Sequence, residues 1–291
     1  MSEFSTIGLI TKPGDVRLTD TVHSLVNYLR SKSLDIIVDQ GAAILLQDPG
    51  LVGQTRQDMA RHCDLIIVVG GDGTLLHAAR SLVSSQIPML GINRGRLGFL
   101  VDVSPDDIAA ALDGILAGQY KEEYRFLLHA EVVRDGMVIA QSEAFNDVVV
   151  HVRNVVRMIE LDTYVDGRYL NTQRADGLIV ATPTGSTAYA LSGGGPILHP
   201  SLNAIVLVPV CPHTLSNRPI VVDAESRIEI KVCERNNPPA RVSFDGQANV
   251  KLLPKDCIKI RRQSHLLRLI QPIDHDYFEI LRAKLRWSEQ L

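Results

Sequence analysis

The sequence lacks the cysteine and histidine patterns that mark metal-stabilised proteins. Its four cysteines, at positions 63, 211, 233 and 257, form no Cys-x-x-Cys pair, and none of its nine histidines is followed by another four residues later. We therefore expect no structural zinc site. We interpret the cysteines as reduced thiols of a cytoplasmic protein, which more often fill a core than react.

Charge tracts and long apolar runs are also missing. The formal net charge is −3 and no basic tract is present, which argues against a nucleic-acid partner. No apolar run reaches the roughly 18 residues that a membrane span needs. The first residues, Met1 to Phe4, show neither the basic nor the apolar region of a signal peptide. We expect a cytoplasmic protein that binds neither membrane nor nucleic acid.

The length and composition suffice for two domains of ordinary size. The 291 residues are 45% hydrophobic and 22% charged, so the chain can build a normal core. In the first part, strands predicted over 5–11, 35–39, 65–69 and 88–93 alternate with helices predicted over 19–31 and from Thr74 onward, whereas residues 41–57 show no clear pattern. The alternation predicts parallel βαβ units and an α/β domain over residues 1–103.

From Arg125 onward the sequence consists of short apolar runs. Asp135-Gly136 and Asp166-Gly167 lie between such runs, as hairpin turns do. Closely spaced strands with few helices predict an all-β, antiparallel, sandwich-like domain over residues 104–270. In the last segment, 271–291, a helix is predicted with Phe278, Leu281 and Leu285 on one face, and we expect this segment to return to the first domain.

The first candidate site is the turn Gly70-Gly71-Asp72-Gly73. The five apolar residues before it, Leu65 to Val69, predict a strand buried on both faces, and Thr74 is a plausible N-cap for the helix that follows. The glycines let backbone approach a phosphate closely. Asp72 suits the orientation or deprotonation of a hydroxyl, or a metal beside phosphates. Alternatively, Asp72 only binds nearby backbone N–H groups of a tight turn.

The second candidate site is the stretch Thr-Pro-Thr-Gly-Ser-Thr-Ala-Tyr at 182–189, which follows a predicted core strand. Residues this small and polar are not expected in a core; they suit close approach of a ligand, with Tyr189 stacking on a flat ring. A plain surface loop is the alternative. The loop Asn93–Phe99 carries Arg94 and Arg96, which either clamp phosphate or are simply exposed. Neither a P-loop nor a Gly-x-Gly-x-x-Gly fingerprint is present.

These motifs together resemble those of the bacterial NAD kinases. The resemblance covers nearly the whole chain and includes Gly-Gly-Asp-Gly-Thr at 70–74, Asn-Arg-Gly at 93–95, the 182–189 block and Asp-Gly-Gln at 245–247. It implies transfer of the γ-phosphoryl group of ATP to the 2′-hydroxyl of the adenosine ribose of NAD, with Asp72 as the catalytic base. It further implies a divalent metal, Mg²⁺, that accompanies ATP without a dedicated set of protein ligands, and a homo-oligomer, either tetramer or dimer.

The resemblance also supplies most of a set of NAD-binding residues. Asp147 departs from the family, which has glutamate there, and is one methylene shorter. Arg157 falls at a position that varies in the family, and His77, one helical turn after Gly73, either faces a phosphate or lies on the helix surface. The expected set is Asp72, Gly73, His77, Asn146, Asp147, Arg157, Arg174, Asp176, Thr187, Ala188, Tyr189, Ser192 and Gln247.

Two other functions fit parts of the sequence. A lipid or sugar kinase could share the Gly-Gly-Asp-Gly turn, although the 182–189 block and the absence of an amphipathic membrane-binding stretch disfavour it. A non-catalytic NAD(P)-binding regulator could keep the pocket without the reaction. Asp72 argues against a regulator, since binding alone gains little from a carboxylate beside phosphates.

Overall fold

The computed structural model describes residues 4–95, 97–101, 103–152, 158–234 and 240–287. It divides into two compact units, the first formed by Met1–Tyr124 with Leu266–Leu291 and the second by Arg125–His265. These division points differ from the expected 103/104 and 270/271. The first unit extends further along the chain because its core includes Ile108, Leu112 and Ile115.

The first unit contains a parallel sheet with helices between its strands. Strands β1 and β4, for example, pair in parallel from Ile7 with Leu65 to Thr11 with Val69. The five strands lie in the order β5-β4-β1-β2-β3, and the predicted α/β class is confirmed. The elements are β1 (Thr6–Thr11), α1 (Thr19–Ser31), β2 (Asp35–Asp39), α2 (Gln40–Leu46), β3 (Gly53–Gln54), α3 (Arg56–His62), β4 (Leu65–Val69), α4 (Asp72–Leu82), β5 (Met89–Ile92) and α5 (Ile108–Leu116).

Helix α4 begins three residues earlier than the sequence predicts. Its N-cap is Gly71, in extended conformation, and Asp72 is its first residue, so the prediction of Thr74 as N-cap is wrong. The Thr74 N–H already donates to the Gly71 carbonyl at 2.9 Å. The Thr74 side chain instead packs against Gly70, where an added Cβ would lie 2.6 Å from Oγ1. Glycine at 70 therefore permits the close strand-to-helix turn.

The second unit is built from antiparallel strands. One of its sheets has the order β13-β12-β11-β8-β15-β16, and another contains β10-β9-β14-β17, as expected for an all-β domain. Asp135-Gly136 and Asp166-Gly167 have positive φ at both residues and form the predicted hairpin turns. Strands β6 and β17 each extend past a division point, and the elements are β6 (Tyr120–Arg134), β7 (Met137–Ala144), β8 (Asp147–Val152), β9 (Ile159–Val165), β10 (Arg168–Ala175), β11 (Gly177–Ala181), α6 (Tyr189–Ser192), β12 (Ala204–Val210), β13 (Ile220–Asp223), β14 (Ile228–Val232), β15 (Ala240–Phe244), β16 (Ala248–Leu252) and β17 (Cys257–Pro272).

The last helix, α7 (Tyr277–Leu285), belongs to the first unit, as predicted. Of the three residues predicted on one face, Leu281 is buried and Leu285 is half-buried, whereas Phe278 is 56% exposed and Ile280 is buried in its place. Within the described residues, no helix combines the length and the apolar character needed to cross a membrane.

Candidate functional site

Asp72 lies at the carboxyl end of β4, in the first turn of α4, and both of its carboxylate oxygens are anchored. Oδ2 accepts a hydrogen bond from the Phe99 N–H at 3.0 Å, and Oδ1 accepts one from the Leu100 N–H at 3.1 Å. A Cβ at Gly98 would lie 2.3 Å from Oδ1, so glycine is needed at that contact. Because each carboxylate oxygen has two acceptor positions, the anchored side chain can still accept a hydroxyl proton.

In the arginine loop that follows β5, Arg94 forms an ion pair within the first unit. Arg94 Nη1 lies 2.9 Å from Asp15 Oδ2, and Arg17 Nε lies 2.7 Å from Asp15 Oδ1. The hydrogen bond from Arg17 is the main reason that the pKa of Asp15 falls to about 2, against the effect of burial. The Asp15 carboxylate thus partners the charge of Arg94, and Arg96 lies outside the described residues.

His77 is exposed on α4, one turn after Gly73, among cationic side chains. Partial burial, then the positive charges of Arg56 and Arg80, lowers the pKa of His77, while Asp39 acts in the opposite direction. Arg56 Nη2 binds Asp39 Oδ2 at 3.0 Å. Arg80 lies in the last turn of α4 and the charge of Arg56 is paired with Asp39, so what favours an anion at the first turn is the partial positive charge of the helix itself.

In the second unit, five predicted residues line one cavity of about 600 Å³, namely Asn146, Asp147, Asp176, Ala188 and Tyr189. Six further lining residues were not expected from the sequence, namely Val149, His151, Val152, Val210, Cys211 and Ser243. Most of these come from strands, where side chains alternate between the faces of a sheet. Asp245 and Gly246, which also line the cavity, belong to the Asp-Gly-Gln motif at 245–247.

The chain at Phe145–Asp147, where this cavity is lined by Asn146 and Asp147, is fixed from two directions. The Asp245 carboxylate accepts hydrogen bonds from the N–H groups of Phe145 at 3.0 Å, Asn146 at 2.7 Å and Asp147 at 3.2 Å. Thr182 donates its hydroxyl to the Phe145 carbonyl at 2.6 Å and its N–H to the Asn146 carbonyl at 2.9 Å. The backbone that carries Asn146 and Asp147 is therefore held rigidly.

Asp147 is 5% exposed, and its carboxyl is the most perturbed acid of the cavity. Burial, followed by the charge of Asp245, raises the pKa of Asp147 to about 7. A buried carboxyl favours its neutral form because the charged form loses its hydration. Asp147 therefore holds a proton well above the pH at which an ordinary aspartate releases it.

Replacing Asp147 with asparagine is expected to change how stability depends on pH. The folded protein keeps a proton that the unfolded chain releases near pH 3.8, so the parent's unfolding free energy falls as pH rises from about 4 to about 7. Asparagine cannot ionise, so the difference should grow in the variant's favour across that window, by at most on the order of 4 kcal/mol. Urea unfolding at several pH values measures it. If the unfolding free energies of the parent and the variant changed with pH in parallel, the raised pKa of Asp147 would be contradicted.

The 182–189 block is only partly exposed to the cavity. Thr182, Thr184, Gly185 and Ser186 are buried, so the expectation that residues of this kind stay out of a core is wrong. Their hydroxyls bind backbone groups instead: Ser186 Oγ donates to the Pro183 carbonyl at 2.6 Å and accepts the Leu198 N–H at 2.9 Å. The far end of the block faces the cavity, where Tyr189 is 48% exposed.

Some of the predicted residues are not placed on the cavity. Thr187, Arg174, Ser192 and Gln247 do not line it; Arg174 is exposed on β10, Ser192 ends α6, and Gln247 is exposed in the β15–β16 turn. Arg157 lies outside the described residues. Among the described residues, no group of three or more His, Cys, Asp or Glu side chains could hold a metal ion.

Two family models match the chain. Residues 7–120 match the ATP-NAD kinase N-terminal domain, and residues 145–271 match the ATP-NAD kinase C-terminal domain. The NAD kinase of Nitrosococcus oceani is 51% identical over 288 residues, which are 99% of this chain and 98% of the relative. The NAD kinase of Chromohalobacter salexigens is 50% identical over 291 residues, covering 100% and 99%.

Solved structures share the fold. Yeast NADH kinase complexed with NADH matches with a TM-score of 0.89 at 26% identity, covering 100% of this chain and 92% of that chain. An NAD kinase from Archaeoglobus fulgidus in complex with ATP matches with a TM-score of 0.76 at 26% identity, covering 97% and 98%. These matches confirm the resemblance drawn from the motifs and give no support to a lipid or sugar kinase.

Proposed function

This chain belongs to the ATP-NAD kinase family of phosphotransferases, and from that premise we propose that it transfers the γ-phosphoryl group of ATP to the 2′-hydroxyl of the adenosine ribose of NAD, giving NADP and ADP. The observation that carries the proposal is the anchored carboxylate of Asp72 in the first turn of α4. Two backbone N–H groups fix its orientation and leave acceptor positions free for a hydroxyl.

Asp72 acts mainly by orienting the acceptor hydroxyl. A free aspartate is far too weak a base to deprotonate an alcohol before transfer begins. Phosphoryl transfer has a loose transition state in which the hydroxyl loses its proton late, so a positioned carboxylate can accept that proton as the new bond forms. Holding the hydroxyl in line with the γ-phosphorus is worth more here than basicity.

The ATP phosphates bind at the start of α4. A Cβ at Gly71 or Gly73 would meet no atom within 4 Å, and no side chain caps this end of the helix. Open space in front of a helix N-terminus, with its partial positive charge, suits phosphate oxygens.

The divalent metal comes with ATP. Mg²⁺ is usually held by one or two carboxylates together with substrate phosphates and waters. The described residues fit that mode, since they offer Asp72 near the start of α4 and no cluster of three ligands. The metal supplies neutralisation of phosphate charge when it is bound.

NAD binds through the second-unit cavity. Tyr189 offers a flat ring for stacking, and Asn146, Asp147 and Asp176 offer hydrogen-bonding groups along the wall. The other predicted NAD-binding residues, which do not line this cavity or lie outside the described residues, remain predictions: Asp72, Gly73, His77, Arg157, Arg174, Thr187, Ser192 and Gln247. We further propose a cytoplasmic homo-oligomer, either a tetramer or a dimer, for which light scattering of the purified protein gives the mass directly.

A non-catalytic NAD(P)-binding regulator is the second candidate. In a regulator, the two backbone N–H bonds to Asp72 would give that carboxylate a purely structural role.

Purified protein with NAD and Mg-ATP distinguishes the two candidates. NADP is detected with an NADP-specific dehydrogenase, while NAD binding is measured by calorimetry. We expect NADP to accumulate only when both substrates are present. Binding of NAD without formation of NADP, with either ATP or polyphosphate as donor, would establish the regulator instead.

A further inference from the structure

Two carboxyl groups meet at the wall of the second-unit cavity, and their surroundings differ. Asp245 accepts hydrogen bonds from the N–H groups of Phe145, Asn146 and Asp147. Three converging backbone donors stabilise a carboxylate in its ionised form. Asp245 is therefore the member of the pair that holds the negative charge.

The carboxyl group of Asp147 lacks such stabilising hydrogen bonds within the described residues. It is buried, it lines the cavity, and in the described part of the chain no donor binds its carboxyl. Its own backbone N–H donates to Asp245, both side chains line the same cavity, and the charge of Asp245 raises the pKa of Asp147. A buried charge with no donor beside a like charge is costly, and a carboxyl in that position keeps its proton. Environments that separate two neighbouring acids in this way give them different roles.

We propose that Asp147 acts as a neutral hydrogen-bond donor to a nucleotide atom that carries no hydrogen, such as a phosphate oxygen, a ring nitrogen or the carboxamide oxygen, and that Asp245 is the positioning residue that holds it there. The inference deepens the proposed NAD site and rests on it. A hydroxyl can be bound by either form of a carboxyl, whereas an acceptor without hydrogen binds only the protonated form. Ionisation of Asp147 therefore weakens binding of such an acceptor.

Other titratable groups face the same cavity. They are His151 from β8, Asp176 before β11, Tyr189 from α6 and Cys211 after β12, besides Asp245 itself. The His151 Nδ1 atom lies 2.9 Å from the Val152 carbonyl, so it donates to that oxygen. Imidazoles commonly titrate near neutral pH, which makes His151→Gln the control for the assignment.

The test is the affinity of the full chain for NAD between about pH 5.5 and about pH 9. For the parent, we expect Kd to be flat at low pH and to rise about tenfold per pH unit above about 7. Asp147→Asn keeps an N–H donor but cannot ionise, so its Kd should lie within about tenfold of the parent's at low pH and stay flat. His151→Gln should keep the parent's pH dependence.

The variant Asp245→Asn distinguishes a positioning role of Asp245 from a general loss of structure in the cavity. Removing the charge beside Asp147 lowers the pKa of that carboxyl, so the decline in NAD affinity should begin at lower pH. A merely structural defect would weaken binding equally at every pH. Because this variant also loses part of the backbone clamp, carbon-13 NMR of the carboxyls in the ligand-free parent provides a second measurement. A carboxyl signal titrating near pH 7, and missing in Asp147→Asn, is expected.

The outcomes separate this inference from the proposed function. If NADP is formed while parent and Asp147→Asn show the same pH dependence of NAD affinity, the donor role of Asp147 is wrong and the kinase assignment stands. If NAD binds at no pH and no NADP is formed, the proposed function fails. Absence of a carboxyl titrating near pH 7 would overturn the inference even in that case.

Discussion

Replacing Asp72 with asparagine is expected to slow NADP formation by roughly 10²–10⁴-fold, the usual contribution of a positioned acid or base. The amide cannot take the proton of the acceptor hydroxyl. It also presents an NH₂ group to the N–H of Phe99 or Leu100, so one anchoring bond becomes a contact between two donors. Initial rates of NADP formation at saturating NAD and Mg-ATP measure the loss.

The two effects of Asp72→Asn can be told apart. If the chemistry dominates, kcat falls while the affinities for NAD and ATP and the free energy of unfolding change little. Asp106→Asn, at an exposed aspartate of the same unit, is the matched control and should keep the parent's rate. A rate of Asp72→Asn within about threefold of the parent's would contradict the catalytic assignment.

Replacing Gly185 with alanine is the second change for which we expect a large effect. A Cβ there would lie 2.1 Å from the Asn146 carbonyl oxygen, which itself accepts a bond from the Thr182 N–H. Backbone rather than a mobile side chain is in the way, so the 145–147 segment must move. We expect a loss of about 1–3 kcal/mol in stability, typical of overpacking, and at least about tenfold weaker NAD binding.

A glycine with room around it provides the control. At Gly114 in α5 the nearest atom would be 3.6 Å from an added Cβ. Alanine is favoured over glycine inside a helix by about 1 kcal/mol, so Gly114→Ala should keep or raise stability and keep NAD affinity. Urea unfolding and calorimetry of both variants measure the contrast. If Gly185→Ala behaved like Gly114→Ala, the close approach at Asn146 would not matter to the site.

Elements with strong sequence patterns were predictable. The apolar run Leu65–Val69 is β4, and the periodic segment Thr19–Ser31 is α1. Residues 41–57 showed no clear pattern because α2 has only seven residues, too few to display a helical period. That helix depends on a contact from the preceding strand instead, since Asp39 Oδ1 accepts the Ala42 N–H at 2.8 Å.

The motifs allowed candidate site residues to be predicted from the sequence, whereas the contacts that hold those residues in place could not be predicted. Asp72, Asn146 and Tyr189 followed from the resemblance. The role of Asp245 did not, because its partners lie about 100 residues away along the chain, at Phe145 to Asp147. The burial of Gly185 and Ser186 was mispredicted because small residues also serve where backbones pack closely, and a hydroxyl can bind backbone groups inside a core.

The most direct test of the central claim is phosphorus-31 NMR of the products formed from NAD and Mg-ATP. We expect a new 2′-phosphate resonance on the adenosine ribose and ADP in equal amount, both formed roughly 10²–10⁴-fold more slowly by Asp72→Asn. Release of inorganic phosphate with NAD unchanged, or phosphate on a different hydroxyl, would contradict the assignment of this chain as a kinase of the 2′-hydroxyl of NAD.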